Sequence, residues 1–219
     1  MNSRERLEKC IRGEATDRPP VALWRHFPVD DLEPHRLARS IVLFENTYGF
    51  DFVKITPRSS YSTQDWGAVD AWDGNPEGSG TYTQFPIADP SDWATLKVHS
   101  PTSGALGQQL ECIELVRAAL PAEIPIIPTI FNPLTQAKHL AGNPTLLNHL
   151  RYSPDALHAA LRTITEQTIL FVQECKKRGV DGVFFAIQHA QKSILSEDEF
   201  MRFGFAYDKL ILDEVQDCW

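Results

Sequence analysis

The sequence predicts an α/β chain that holds about the first half of a (β/α)8 barrel. Two observations carry this expectation. Four strand-like cores recur at Pro20–Phe27, Asp51–Pro57, Ile124–Phe131 and Val180–Gln188, each followed by loop or helix-type sequence. The 219 residues then finish one helix past the fourth core, whereas eight such units usually need about 250 residues. The expected organisation is therefore one partial barrel domain over residues 1–219.

Each element has a local reason. Ser3 to Ile11 reads as a short helix, with Ser3 as its cap and Leu7 and Ile11 four apart. Gly13 stops it, and Asp17-Arg18-Pro19-Pro20 turns the chain into the first strand, where prolines need no ladder donor. Val21-Ala22-Leu23-Trp24 is a continuous apolar run, which suits a strand buried on both faces. Leu32 to Tyr48 is helical, with Leu37, Ile41 and Phe44 on one side and Gly49 as its left-handed stop. The second strand is Asp51 to Thr56.

Residues 65–100 differ in composition. Trp66, Trp72 and Trp93 stand among Asp, Gly, Pro and Thr, and the turn signals at 73–76 and 77–80 flank short β-type pieces such as Thr81–Phe85. This predicts a β-hairpin insertion after strand two, with a helix starting near Ser91-Asp92-Trp93. A helix over Gln109–Leu120 precedes strand three, and another starts at Pro133. Ser153 and Pro154 open a long helix that runs to about Lys177, with Gly179 as its stop. Strand four covers Val180–Ile187, and the capping-box sequence Ser196-Glu197-Asp198-Glu199 opens a last helical stretch.

Composition excludes several function classes. The net charge of −8, with 21 basic against 29 acidic residues, does not suit a nucleic-acid-binding face. Four scattered cysteines offer no C-x-x-C pair for zinc. The N-terminus lacks an apolar signal region, and no run reaches the 18 or so apolar residues of a membrane span. A cytoplasmic chain with reduced thiols is expected, with neither nucleic acid nor membrane as partner.

Active sites of such barrels lie at the C-terminal ends of the strands. That rule selects Arg25 and His26 after strand one, Lys54, Thr56 and Arg58 on strand two, Asn132 after strand three, and Gln188 and His189 after strand four. Arg25 could grip a carboxylate bidentately, or pair with an acidic loop residue. Lys54 shares a face with Phe52 and Thr56. Inside a barrel it would be a buried cation needing a carboxylate partner, as a layer-filling ion pair or as an acid or base. His26, His139 and His189 are the histidines that could converge on a metal, although no metal is expected. The tryptophan-rich hairpin serves either as a binding lid or as an anchor for the insertion.

Beyond these local signals, RERLEKCIRGEATDRPPVALWRH resembles the opening of the uroporphyrinogen decarboxylase superfamily, where a short helix, an R-x-x-R-P-P turn and a strand ending in arginine recur. FDFVKITP followed by DWG, IPIIPTIFNPLTQAKHLAG, GVDGVFFAIQHA and FGFAYDKLIL resemble, in order, the regions around its second, third and fourth strands and the following helix. The resemblance implies a (β/α)8 barrel that uses no cofactor and removes carboxyl groups from the acetate side chains of a porphyrinogen. It implies arginines that bind substrate carboxylates and an aspartate after strand two that binds pyrrole N–H groups and favours a cationic intermediate.

Carried over residue by residue, the first arginine falls on Arg25 and the second on Val29. The aspartate falls near Pro57 or Arg58, where no acid stands. The family's tyrosine falls on His139, its serine on Gln188, and the histidine after it is kept as His189. Arg25, His26, Lys54, Arg58, His139, Gln188 and His189 are thus the candidate substrate-binding residues, for an anionic small molecule. A second branch of the superfamily moves methyl groups between corrinoid proteins and thiols with zinc, its ligands lying in the later half of the barrel. Three readings follow: a cofactor-free decarboxylase, a methyltransferase relative, or a non-catalytic fragment. A half-barrel leaves open sheet edges, so a homo-oligomer or a complementing barrel half is the expected partner.

Overall fold

A computed structural model describes residues 1–219. Helix α1 (Ser3–Ile11) is capped by Asn2, not Ser3: the Asn2 side chain accepts from Glu5 N–H at 2.8 Å. The expected first strand is the main departure. Residues 19–27 are extended but pair with no ladder. The Asp51 N–H donates to Val21 O at 2.8 Å, while the Val21 N–H turns to the Asp51 carboxylate at 2.7 Å. Pro19 and Pro20 have no N–H to give. Val21, Leu23 and Trp24 are 52%, 64% and 45% exposed, so this run is not the doubly buried strand its composition suggests.

A 3-10 turn at Asp30–Leu32 leads into α2 (Pro34–Tyr48), which ends on Gly49 at φ +64°, as the sequence predicts. β1 (Val53–Ile55) follows. Next, β2 (Val69–Ala71) and β3 (Thr81–Gln84) pair antiparallel as a separate two-stranded ribbon. A 3-10 turn at Pro90–Thr95 stands where a helix start was expected; the Asp92 carboxylate accepts from Ala88 and Asp89 N–H. α3 (Gly104–Ala119) begins earlier than the sequence suggests, because Asp65 reaches across to accept from Ala105 N–H.

β4 (Ile126–Phe131) runs into α4 (Pro133–Ala141), α5 (Asn143–Tyr152) and the long α6 (Pro154–Lys177). β5 (Phe184–Ala186) is shorter than the expected strand four. The chain closes with α7 (Glu197–Phe200), where the capping box forms as predicted, a π-helical turn at Met201–Phe205, and α8 (Ala206–Asp213).

β1, β4 and β5 form one parallel sheet in the order β1-β4-β5, with Val53 opposite Ile126 and Thr129 opposite Phe184. Strand alternation splits its two faces. Val53, Ile55, Ile126 and Ile130 meet Leu37 and Ile41 of α2, Leu110, Ile113 and Val116 of α3, and Phe171, Val172 and Cys175 of α6. Each such buried side chain contributes roughly 1.5–3 kcal/mol. A second core joins α4, α5 and α6 to Trp93, Phe203 and Tyr207. Trp93 is fully buried and Trp72 is 45% exposed, so one tryptophan of this region anchors and another faces out. The opposite face of the sheet carries Lys54, Ile127, Thr129 and Phe184, of which Lys54 and Thr129 are buried; Trp24 lies against Phe184, ring centroids 5.6 Å apart.

Charge holds the N-terminal end of the sheet. Asp51, 1% exposed, accepts from Arg6 at 2.6 Å, from Arg18 at 2.5 and 3.0 Å, and from Val21 N–H. Arg6 also grips Asp17 at 2.7 and 2.8 Å. Asp181, at the start of the β5 segment, accepts from Arg4 at 2.6 Å and from Ile126 N–H at 2.8 Å. Beside it, Trp219 N–H donates to Asp181 O and Trp219 O accepts from Val183 N–H, the bonding pattern of a parallel neighbour. No helix of the structure is long and apolar enough to cross a membrane.

Candidate functional site

Beyond these charged clusters, the residues picked from the sequence fall into three groups. The first surrounds Lys54. Its ammonium group has no carboxylate partner, contrary to the expected buried ion pair. Nζ lies 4.4 Å from the ring centroid of Phe184 and 5.0 Å from that of Trp24, and donates to Thr56 Oγ1 at 3.2 Å. Two aromatic faces replace the anion by cation–π attraction. Burial still pushes the amine down to about 8. Arg25 is exposed; its guanidinium lies over Phe27 and donates only to the His26 carbonyl at 3.1 Å. Arg25 and Lys54 line one narrow recess with Trp24, Phe27, Phe44 and Glu45, a buried carboxyl that burial pushes up to about 7. His26 is held below its ordinary range by burial and by Lys54, with Asp70 opposing.

The second group is centred on Arg58, whose Nε donates to the Asp70 carboxylate at 2.5 Å while a terminal nitrogen meets the Asp70 carbonyl. Ser60 donates to the same carboxylate. Asp70 sits on β2, 1% exposed, with Gly80, just before β3, pressed so close that a side chain there would collide with the carboxylate. A cleft of about 320 Å³ opens beside this pair, lined by Val29, Asp31, Leu32, Trp72 and Gly80 among others. Val29 holds φ +75° and ψ −45°, a conformation a β-branched residue adopts only under strain. Asp31 is pushed up to about 6 by burial, with Arg58 opposing.

The third group follows β4 and β5. His139 is 2% exposed, stacks on Tyr82 with centroids 4.6 Å apart, and meets Phe131 edge-on. Burial holds it well below the usual imidazole range, and Lys138 and His189 add to this. His189 Nε2 bonds Asn143 Oδ1 at 2.9 Å, and burial pushes that imidazole down to about 4. Gln188 accepts from Lys138 Nζ at 2.8 Å. Both histidines are therefore neutral at pH 7, and Nδ1 of each lacks a hydrogen-bond partner. His26, His139 and His189 do not gather; no three His, Cys, Asp or Glu side chains come together as a metal-ligand set. Asn132 belongs to none of these groups. It caps α4 through Thr135 N–H and donates to Asp208 on α8 at 3.0 and 3.2 Å, and burial lifts that acid to about 6.

Sequence reading misses Lys138 and Asp70. Lys138 had a signal, since it lies beside His139 in the helix that leaves strand three. Asp70 had a weaker one, an acid alternating with Val69 and Ala71 in a strand-like run. In the folded chain it meets Arg58, 12 residues away and just past β1.

The sequence profile of the uroporphyrinogen decarboxylase (URO-D) family matches residues 74–218, well over half of the chain. The chain belongs to the uroporphyrinogen decarboxylase family. Among its relatives, the methylcobamide:CoM methyltransferase MtbA of Methanosarcina acetivorans is 19% identical over 228 residues, covering 98% of this chain and 66% of its own length. The uroporphyrinogen decarboxylase of Flavobacterium johnsoniae is 27% identical over 148 residues, 64% of this chain and 42% of its own length. A solved methyltransferase from Methanosarcina mazei superposes with a TM-score of 0.82 at 20% identity, over 99% of this chain and 68% of that one. The chain thus spans about two thirds of the length of the methyltransferases it matches, and its match covers 42% of the decarboxylase. The α/β fold is that of this barrel superfamily.

Proposed function

We propose that this chain carries the anion-binding mouth of a uroporphyrinogen decarboxylase-like carboxy-lyase, which decarboxylates a carboxylate-bearing substrate without a cofactor. One observation supports this reading above the others. In a chain with net charge −8, Arg25, Lys54 and Lys138 have no carboxylate partner. Cations left unpaired amid surplus acid are arranged for an anion that comes from outside. Burial makes Lys54 and Lys138 worse ammonium ions than usual, so a bound carboxylate would satisfy both charge and hydrogen bonding. The three parallel strands form an arc of the barrel, the β2–β3 ribbon being an insertion on its rim. The open sheet edges are then covered by a second copy or by a complementing half.

A methyl-transfer reading is supported by coverage. The methyltransferase MtbA aligns over 98% of this chain, against 64% for the decarboxylase. On this reading the chain takes part in moving a methyl group from a corrinoid to a thiol. Residues 1–219 gather no ligand set for a metal, so no step is derived through one.

The test is a titration with a porphyrin polycarboxylate, read by tryptophan fluorescence, on a species whose mass is fixed by light scattering. Saturable binding that weakens with salt is expected, and carbon dioxide release with the reduced porphyrinogen. Demethylation of methylcobalamin with a thiol, and no polycarboxylate binding, would replace the first reading by the second.

A further inference from the structure

The cleft beside Arg58 presents the opposite charge from the unpaired cations. It offers about 320 Å³, and Asp31, Trp72, Val29 and Leu32 line it. Asp30 and Asp31 are neighbours in one 3-10 turn, with different fates. Asp30 accepts from Arg36 at 3.0 Å and from Ser40 at 2.7 Å. Asp31 has neither, and the arginine of its cleft, Arg58, is spent on Asp70. Asp70 uses Oδ1 for Arg58 and Ser60, and its buried Oδ2 has no donor. Arg58 and Asp70 therefore cancel, and the half-buried Asp31 is the charge left over. The rest of the wall is apolar. Val29, Leu32 and Trp72 are each about half exposed, although they border one cleft. The Trp72 indole N–H is taken by Asn75 O at 2.9 Å, so this side chain offers the cleft ring carbon only. Exposed apolar side chains gathered around a concavity mark a binding site. An aromatic ring beside an uncompensated carboxylate suits an organic cation. A metal ion fits less well, since no three ligand-type side chains gather and ring carbon offers it no donor.

We propose that this cleft binds a small organic ammonium ion, with Asp31 taking the charge and Trp72, Val29 and Leu32 the apolar body. The site goes beyond the decarboxylase reading and does not rest on it, since it shares no lining residue with the recess of Arg25 and Lys54. Its volume lies at the lower end of small-molecule pockets, which start at about 300 Å³, so the ligand is small. The turn that carries Asp31 is fastened to α2 through Asp30, so the acid is in place before the ligand arrives. Burial pushes the Asp31 carboxyl up to about 6; Arg58 opposes this, and Asp70 and Asp30 add to it. Glu33 borders the neighbouring pocket that Asp31 also lines. A bound cation favours the ionised carboxylate, so binding strengthens as pH rises toward 7.

The experiment is a calorimetric titration of the full chain with phenethylammonium, and with 2-phenylethanol as a probe of like shape without the charge. One saturable site of about millimolar affinity is expected for the cation, and binding about tenfold weaker or less for the alcohol. Asp31→Asn should weaken the cation about tenfold, and Trp72→Leu about threefold. Glu5→Gln makes the same change of charge on exposed α1 and should leave the affinity as it is. Wild-type affinity should fall about tenfold from pH 7 to pH 5, and this dependence should disappear in Asp31→Asn. Thermal unfolding of each variant confirms that it is folded. No saturable binding up to ~10 mM, equal affinity for the alcohol, or an Asp31→Asn affinity equal to wild type would overturn the proposal.

Discussion

Two sets of cations in this chain are handled in opposite ways. At the N-terminal end of the sheet Asp51 and Asp181 each collect arginine and backbone donors, and Arg4, Arg6 and Arg18 all find carboxylates. Away from these clusters Arg25, Lys54 and Lys138 find a carbonyl, a hydroxyl and an amide. The first set is satisfied within the chain and reads as stability. The second is satisfied only in part and reads as function.

The strongest way to break the comparison is to strip the paired set. Burial alone would raise Asp51, but hydrogen bonds from Arg18, Val21 and Arg6 outweigh it and hold the carboxyl below its usual range. Asp51→Asn removes the charge and leaves Arg6, 6% exposed, facing a neutral group. Removing one partner from a buried ionic cluster costs about 3–5 kcal/mol. The expected result is a loss of that size in urea unfolding at pH 7. Asp51 keeps a folded value below its unfolded one, so its stabilisation is present above the ordinary carboxylate range and is lost as pH falls through the folded value. A loss under ~1 kcal/mol would mean the N-terminal latch does not hold the sheet.

The same operation on the other set should reverse sign. Lys54 is depressed to about 8 from 10.5, so between those values the unfolded chain binds more protons and wild-type stability rises with pH. Below about 8 both states are protonated and the penalty is constant. Lys54→Met keeps the volume and removes the buried charge. After allowing for the lost attraction to Trp24 and Phe184, it should stabilise the chain by about 2 kcal/mol at pH 7. The gain should disappear as pH approaches 10.5. Thermal unfolding of both proteins at pH 7 and 10 checks this. A destabilised variant would make Lys54 a structural cation and place it with the first set.

How much of this was legible in the sequence follows the same division. Helices with strong local signals appear where expected: Gly49 and Gly179 stop α2 and α6 at positive φ, and Ser196 with Glu199 forms its capping box. Local chemistry sets those boundaries. The first strand was misread because its apolar run, Val21 to Trp24, owes its place to the sheet face that carries Phe184 and not to a ladder. Hydrophobicity alone cannot tell a strand buried on both sides from an extended segment laid across a sheet. Arg25 and Lys54 were found by a strand-end rule, which needs only the order of elements. What Lys54 meets could not be found that way, since Trp24 and Phe184 are 30 and 130 residues from it in sequence and meet it only in the folded chain. Asp70 is missed for the same reason, its partner Arg58 lying outside the β2–β3 ribbon.

The finest test concerns Arg25, where the two sets differ in what a cation is worth to folding. Its guanidinium is exposed and makes one bond to a neighbouring carbonyl, so Arg25→Ala should change stability by no more than ~0.5 kcal/mol. A charged hydrogen bond to a ligand is worth about 1.5–3 kcal/mol, so the affinity for a polycarboxylate should fall about tenfold or more. The split between these two numbers is the measurement. Arg6 is worth most to folding and reaches no ligand, whereas Arg25 should be worth almost nothing to folding and much to binding. If Arg25→Ala weakened both equally, its role would be structural, and the unpaired charge of this set would need another cause.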